Sequence, residues 1–397
     1  MTVDQVQLSD IKRAHELIRP HVHRTPLLTS RTLDELVTKA IGSPVPVRLA
    51  FKAENVQVVG AFKIRGATNA VLTHLERLKA EHGPDFDPKK LCVVTHSSGN
   101  HAAAIARAAR SVGASAAIVM PRTSPQVKKD AVAGYGARIV ECEPVLAARE
   151  SAADLLKEEL ETNGSGTVVQ FIHPYDEELV IAGQGTLGLE LMDQVRELQV
   201  PSGSKLSSAL APSPDVEDNC SWRSRDEGKE PVVDFVIGPV GGGGMLSGLS
   251  TAVKGLDSRV TVIGAEPEKA DDAFRSFQTG QLQDAISPPQ TICDGLLTAL
   301  SPRTLSHIRT HVSSIHLASE RSILSALRLV WERMKQIIEP SAAVGLAVAF
   351  DNKDFHQQVL RIAGSAKEEV RMVLIWTGGN VELEKIVAAL SATASSS

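Results

Sequence analysis

The sequence predicts an α/β protein of two or three domains built on mostly parallel sheets. Three observations predict it. The chain has 397 residues, at roughly 150 residues per domain. Its β-rich runs are near-continuously apolar rather than alternating, as strands buried on both faces are. Helical patterns separate several of those runs, and alternation of the two types gives parallel sheets with crossover helices.

The apolar runs, in order, are Val47 to Phe51, Leu91 to Thr95, Ala117 to Met120, Thr167 to Ile172, Val232 to Gly238, Val260 to Ala265 and Met372 to Trp376. The clearest helical stripe carries Ile323, Leu324, Leu327, Val330, Trp331, Met334, Ile337 and Ile338 and is expected to end at Pro340. Residues 201–230 are rich in serine, with proline and glycine in the first half and mixed charge in the second. They read as a flexible surface insertion, and Ser391 to Ser397 as a frayed tail.

Nothing in the charge sum, 42 − 47 = −5, suggests a nucleic-acid binder, and there is no Lys/Arg-rich run. No uncharged apolar run reaches the roughly 18 residues of a membrane helix. The first twenty residues carry Asp4, Asp10, Lys12, Arg13 and Glu16 and lack the apolar core of a signal peptide, so a cytoplasmic location is expected. Cys92, Cys142, Cys220 and Cys293 lack C-x-x-C spacing. That argues against a disulfide framework and a structural zinc site.

Five motifs carry candidate chemistry. Gly60-Ala61-Phe62-Lys63-Ile64-Arg65-Gly66-Ala67 places a lysine at a helix start; spacing alone allows a solvated lysine or an amine set for Schiff-base chemistry. Thr95 to His101 form a strand–loop–helix junction, either a polar capping loop or a set of helix-start N–H groups for a carboxylate. Gly241 to Gly244 and Met245 follow a strand and open a helix. Four glycines let backbone N–H groups converge on a phosphate. The order fits neither G-x-G-x-x-G nor the Lys-Ser/Thr phosphate loop of nucleotide enzymes. Thr377-Gly378-Gly379-Asn380 sits past a strand end, where α/β proteins place ligands. Glu266 to Asp272 also follow a strand end, either an acidic loop or carboxylates with room for carbonyls around a hard divalent cation.

Together and in this order, these segments resemble the fold-type-II pyridoxal-phosphate enzymes, the tryptophan-synthase-β-like superfamily. Within it the chain is most similar to the serine racemase and serine/threonine dehydratase group. The carrying segments are F-K-I-R-G-A with Lys63, S-S-G-N-H from Ser97, G-Q-G-T from Gly183, G-G-G-G-M from Gly241, E-P-x-x-A-D-D from Glu266, W-E-R-M-K from Trp331 and G-G-N from Gly378. The resemblance spans about residues 8–385, apart from the insertion.

The resemblance implies two open, twisted, mostly parallel sheets flanked by helices, with the cofactor in the interdomain cleft. Residues 1–82 and 167–397 would form a large cofactor-binding domain and residues 83–166 a small mobile substrate domain. It implies pyridoxal 5'-phosphate as cofactor, with Lys63 as Schiff-base lysine and base on one face, and Ser98 as acid–base group on the other. Phe62 would shape the cofactor floor, Gly241, Gly242, Gly243, Gly244 and Met245 would bind the phosphate, Asn100 the ring hydroxyl and Thr377 the pyridine nitrogen. Ser97, Ser98, Asn100 and His101 would line the substrate carboxylate, with Arg149 and Thr298 at its distal end. Glu266, the Ala270 carbonyl and Asp272 would hold Mg²⁺, or Ca²⁺ or Mn²⁺. The partner would be a small amino acid, with no nucleic acid or membrane, and the assembly a homodimer as is common in the family.

The expected reaction is elimination of water from L-serine, L-threonine or 3-hydroxyaspartate to a 2-oxo acid and ammonia, with serine racemisation as companion. A neutral Thr377 hydroxyl on the ring nitrogen weakens the electron sink and favours loss of a β-hydroxyl. Two acid–base groups on opposite faces are the minimum for racemisation. Alternatives are a dedicated threo-3-hydroxyaspartate ammonia-lyase, a cysteine-synthase-like β-replacement enzyme and a non-catalytic cofactor-binding protein. Two departures stand out. Tyr175 follows His173-Pro174 where mammalian-type serine racemases carry asparagine and many threonine dehydratases phenylalanine. Val58-Val59 replace a Lys-Thr pair tied to nucleotide activation in animal members, so nucleotide regulation is not expected.

Overall fold

All seven apolar runs become strands, with ends shifted by at most three residues, in a computed structural model that describes residues 5–97, 99–162, 166–200, 222–223, 225–364 and 367–394. The larger sheet holds β1 (Leu27–Thr29), β2 (Val47–Ala53), β9 (Phe235–Pro239), β10 (Thr261–Pro267), β11 (Ser314–Ala318) and β12 (Val370–Trp376). Its order is β1-β2-β12-β9-β10-β11, parallel except for β1. The smaller sheet, β5-β4-β3-β6, is parallel throughout and uses β3 (Leu91–His96), β4 (Ser115–Pro121), β5 (Arg138–Cys142) and β6 (Val168–Phe171).

Both faces of the larger sheet are covered, which is why its strands read as unbroken apolar runs. Along β12, Met372, Leu374 and Trp376 pack with α2 (Arg31–Ile41), α11 (Glu320–Leu329), α12 (Pro340–Asp351) and α13 (Lys353–Ala363). Val373 and Ile375 face α7 (Glu178–Glu197), α8 (Gly244–Leu256) and α10 (Pro302–His311). The smaller sheet packs Val93 and Ile118 against α3 (Lys63–His82), α4 (Asn100–Ser111) and α5 (Gln126–Gly134). Its opposite face, with Val94 and Val119, meets α6 (Leu146–Thr162). The remaining helices are α1 (Leu8–Ile18), α9 (Asp272–Thr279) and α14 (Leu383–Ala394). No described helix is long and apolar enough to cross a membrane.

Three expectations need correction. The 323–338 stripe is broken: α11 passes into a π-helical turn at Val330–Met334, which Lys335 ends in the left-handed region at φ 56. Ile337 is therefore exposed. Residues 201–221 and 224 lie outside the described residues; of the insertion's return, Asp226 to Lys229 form the expected exposed turn, but the residues before it are anchored. Trp222 and Arg223 form β8, parallel to β7 (Gln199–Val200), and the Trp222 side chain is buried in the core beside the Arg371 guanidinium. Arg225 pairs with buried Asp234 at 2.9 Å. Finally, α14 carries regular helix through Ser391 to Ala394, four residues into the expected tail.

Candidate active site

The strand ends bring most of the candidate residues together. The parallel strands β2, β12 and β9 are adjacent, and β3 ends at the neighbouring sheet. Carboxyl ends of such strands form the ligand crevice of open α/β sheets.

Lys63 is the first residue of α3. The segment before it is stitched to the chain leaving β12: Phe62 N–H donates to the Thr377 carbonyl at 3.0 Å, and Gly379 N–H to the Gly60 carbonyl at 3.0 Å. Gly60 is needed here. It has φ 70, and a Cβ would lie 2.6 Å from Asn380 Oδ1. The Lys63 amine donates to the Pro174 carbonyl at 2.9 Å and lies 5.3 Å from the Phe62 ring centroid. Burial pushes it down to about 8, against an opposing pull from Glu339.

Asn100 opens α4 and spans the gap to the larger sheet. Its Nδ2 donates to both Glu339 carboxylate oxygens at 3.2 Å, while its Oδ1 accepts from Asn380 Nδ2 at 2.9 Å. Glu339 is buried; desolvation, then Asp294, push it up to about 7, with Asn100 and Lys128 pulling back. Ser97 Oγ accepts from Gly99 N–H at 3.2 Å; Ser98 lies outside the described residues. His101 is buried, and burial and then Lys63 hold its imidazole well below the ordinary value. His173 is likewise down at about 4 through burial and His96. Both rings are neutral at pH 7.

The glycine run turns from β9 into α8, with Gly243 at φ 84. Its neighbours press so closely that side chains would not fit. A Cβ on Gly241 would lie 3.0 Å from Leu296 Cα, on Gly242 2.5 Å from the Tyr175 ring and on Gly243 2.6 Å from Leu300 Cδ2. The first-turn N–H groups of α8 have no intrahelical acceptor, so this walled turn is a natural anion cup. Met245 follows in that first turn and is buried. Tyr175 lies edge-on to His173 at 4.7 Å, and burial and Asp176 raise its phenol to about 12. Past β12, the Thr377 hydroxyl is buried with no hydrogen-bond partner.

The carboxylate set stands one strand further along. Glu266, on β10, accepts from Ala273 N–H at 2.9 Å and Phe274 N–H at 2.7 Å and so caps α9. Burial, then Asp272, raise it well above its ordinary value. Asp272 reaches about 6, mainly through burial, and its Oδ2 has no partner. Ala270 is buried between them in sequence. Among the described residues no three His, Cys, Asp or Glu side chains cluster as metal ligands. Arg149, on α6, is partly buried with an unpartnered Nε and acts on His96 and Tyr175. Thr298 lies partly buried in the irregular stretch that also supplies Leu296 and Leu300.

A pyridoxal-phosphate dependent enzyme model matches residues 18–206 and 222–378. The chain belongs to that family. It is 40% identical over 377 residues to the beta-hydroxyaspartate dehydratase of Paracoccus denitrificans, covering 95% of this chain and 97% of that one. It is 38% identical over 379 residues to human serine racemase, covering 95% and 92%. The structure of maize serine racemase superposes with a TM-score of 0.76 at 30% identity, covering 99% of each chain. The family supplies the cofactor's identity, pyridoxal phosphate.

Sequence reasoning missed Glu339 and Lys128. Glu339 carried one signal, a lone acidic residue directly before the proline that opens apolar α12. Lys128, on α5, reaches across the gap to pair with Asp294; nothing in its local sequence marks it.

Proposed function

We propose that this chain eliminates water from a β-hydroxy amino acid, giving a 2-oxo acid and ammonia, with serine racemisation as companion activity. One observation carries the reading: the Lys63 amine is held on the Pro174 carbonyl, beside the Tyr175 that walls the glycine cup, and its neighbour Phe62 is hydrogen-bonded to Thr377, whose hydroxyl is buried without a partner. Those three fit pyridoxal phosphate, which has an aldehyde, a phosphate and a ring nitrogen. When bound, the cofactor supplies the electron-withdrawing centre that acidifies the substrate's Cα–H.

In this reading Lys63 takes the Cα proton, and an amine near 8 is matched to that task at neutral pH. Phe62 forms the floor beside it. Gly241 to Gly244 and Met245 hold the phosphate through N–H groups. Asn100, its amide fixed between Glu339 and Asn380, meets the ring hydroxyl, and the Thr377 hydroxyl meets the ring nitrogen. Ser97, Asn100 and the neutral His101 line the substrate carboxylate. Ser98 returns a proton on the opposite face; its role rests on sequence. Glu266, the Ala270 carbonyl and Asp272 would hold Mg²⁺, whose charge would relieve the mutual repulsion of the two carboxylates and fix the start of α9. A cytoplasmic homodimer completes the reading, tested by light scattering and cell fractionation.

The deciding assay offers L-serine, L-threonine and both threo-3-hydroxyaspartates to the holoenzyme with Mg²⁺ and reads 2-oxo acid and D-serine together. Oxo acid with D-serine supports the paired activity; oxo acid alone makes it a dehydratase. No turnover of any of them overturns the reading. A second reading, a dedicated 3-hydroxyaspartate ammonia-lyase, is supported by the unpartnered Arg149 Nε, which suits a second carboxylate at the distal end together with Thr298. The 40% identity to a beta-hydroxyaspartate dehydratase supports it too.

A further inference from the structure

The G-Q-G-T segment at Gly183 has no part in the chemistry above, yet it lies between the two helices that carry it. Its residues belong to α7. On one side α7 meets the first turn of the lysine helix. A Cβ on Gly183 would lie 2.6 Å from the Arg65 carbonyl and 2.6 Å from Gly66 Cα, so the two backbones touch. Gly66 N–H, the fourth of α3, donates to Gln184 Oε1 at 3.1 Å, while the Phe62 carbonyl one turn back accepts from Arg65 N–H at 3.0 Å. On its other side α7 meets the cup helix one turn in. A Cβ on Gly185 would lie 2.9 Å from the Gly248 carbonyl.

A buried ionic group reinforces the first contact. The Arg65 guanidinium donates to Glu54 at 2.8 Å and to Glu190 at 2.8 and 2.9 Å, and Lys52 donates to the same Glu190 at 2.7 Å. All four groups are buried, with two positive and two negative charges. Glu190 is on α7, and Arg65 is two residues past Lys63.

We propose that Gln184 and Gly183 are positioning residues for Lys63: they seat the first turn of α3 from the neighbouring helix, and through Gly185 the same helix gauges the lysine against the phosphate cup. Gln184 itself argues for this. It is buried, and its Nε2 has no hydrogen-bond partner. An unmet buried donor is costly, and a leucine there would avoid it. The gain that offsets it is the bond to Gly66 N–H, which orients the lysine's own helical turn.

The inference rests on Lys63 as the cofactor lysine. That is checked separately, because Lys63→Ala must lose the cofactor's visible absorbance. The experiment compares Gln184→Leu, which removes the acceptor, with Gln184→Glu, which keeps one, in the full-length holoenzyme. Gly188→Ala serves as a packing control: its new Cβ would meet Ala252 Cβ at 2.9 Å, away from both first turns. Melting temperature, affinity of the apoenzyme for pyridoxal phosphate, and kcat and KM for L-serine and 3-hydroxyaspartate are read for each. Gln184→Leu is expected to weaken cofactor affinity and to lower kcat by about tenfold each, the worth of one buried hydrogen bond, with KM little changed. Gln184→Glu should recover both, and Gly188→Ala should move melting alone. A Gln184→Leu enzyme with wild-type cofactor affinity and kcat overturns the proposal, as does a Gly188→Ala enzyme with equal losses. If Gln184→Leu fails to fold, Gln184→Met carries the same comparison. Cofactor affinity needs no substrate, so this result is independent of the elimination assay.

Discussion

Replacing Glu339 by glutamine should lower the affinity of the Lys63 amine for its proton. The ammonium form is opposed by burial and supported by the Glu339 carboxylate, and the balance leaves the amine at about 8 rather than 10.5. At pH 7.5 that leaves roughly a quarter of Lys63 unprotonated, against roughly 0.1% for an ordinary lysine. Glu339 itself sits at about 7, so it is mostly ionised where Lys63 titrates. Glutamine keeps the shape and one carbonyl for Asn100 but removes the charge. A partly buried charge pair worth about 1 kcal/mol corresponds to about 0.7 pH unit. The assay is the rate at which apoenzyme captures pyridoxal phosphate, followed by visible absorbance across the range around neutrality. The native midpoint should fall near 8, and that of Glu339→Gln below it by roughly half a unit or more. A native midpoint near that of free lysine would refute the burial argument. A midpoint that rises or stays fixed in Glu339→Gln would refute the assigned charge coupling.

Arg149→Glu should reduce kcat/KM for 3-hydroxyaspartate by about a hundredfold or more, a buried charge-assisted contact being worth about 1.5–3 kcal/mol before repulsion is added. Turnover of L-serine should fall far less, and equal losses on both substrates would remove Arg149 from the distal end. Ser98→Ala should abolish D-serine formation while retaining much of the oxo-acid flux; parallel loss of both would leave Ser98 as a carboxylate contact only. Asp272 carries a folded-state value of about 6 against an ordinary 3.8. Its ionisation therefore burdens the metal-free fold, with the stability lost as pH rises through about 6. Mg²⁺ held there should raise stability at pH 8 by about 2.7 kcal/mol at a hundredfold excess over its Kd. Asp272→Ala should melt no lower than wild type without metal and should lose the Mg²⁺ response; an unchanged response would place the metal elsewhere.

What could be read from the chain depended on whether the information was local. β12 was legible from Met372 to Trp376 because those residues are apolar and all buried, so the run needs no partner to be recognised, whereas the buried Arg371 hid its start. β11 was not, because its burial is mixed at the sheet edge and Ser314 and His316 interrupt it. The long helical stripe read well up to Val330. Nothing in a 3.6-residue pattern announces a π-turn, so Ile337 was assigned to a face it never reaches. Trp222 was hidden because its neighbours are serine and arginine, and the core it enters and the Arg371 beside its ring are distant in sequence. The same division holds in the site. Lys63, the glycine run and Thr377 carry compact motifs on strand ends. Glu339 matters through Asn100, which is remote from it in sequence, as it is from its other partner, Asn380 of the Thr377 motif.

That remoteness explains how the site keeps its charges near neutrality. Lys63 and Glu339 are pushed toward each other, one down to about 8 and the other up to about 7. Both shifts have burial as the first cause, and the Glu339 carboxylate supports the Lys63 ammonium. Lys128 and Asp294 then set Glu339 from opposite sides, one lowering and one raising it. These two belong to different parts of the molecule, Lys128 to α5 beside the smaller sheet and Asp294 to the stretch that walls the glycine cup through Leu296. Separating them would take Lys128 from Glu339 and leave Asp294 behind, driving the carboxyl toward its neutral form and weakening its support of the Lys63 ammonium. Bringing them together does the reverse. The proton balance of Lys63 is therefore tied to how closely the α5 side approaches the larger sheet. Lys128→Met should thus raise the Glu339 titration and shift the cofactor-capture midpoint of Lys63 downward, in the same direction as Glu339→Gln but by less. An upward shift would break the chain of charges from Lys128 to Lys63.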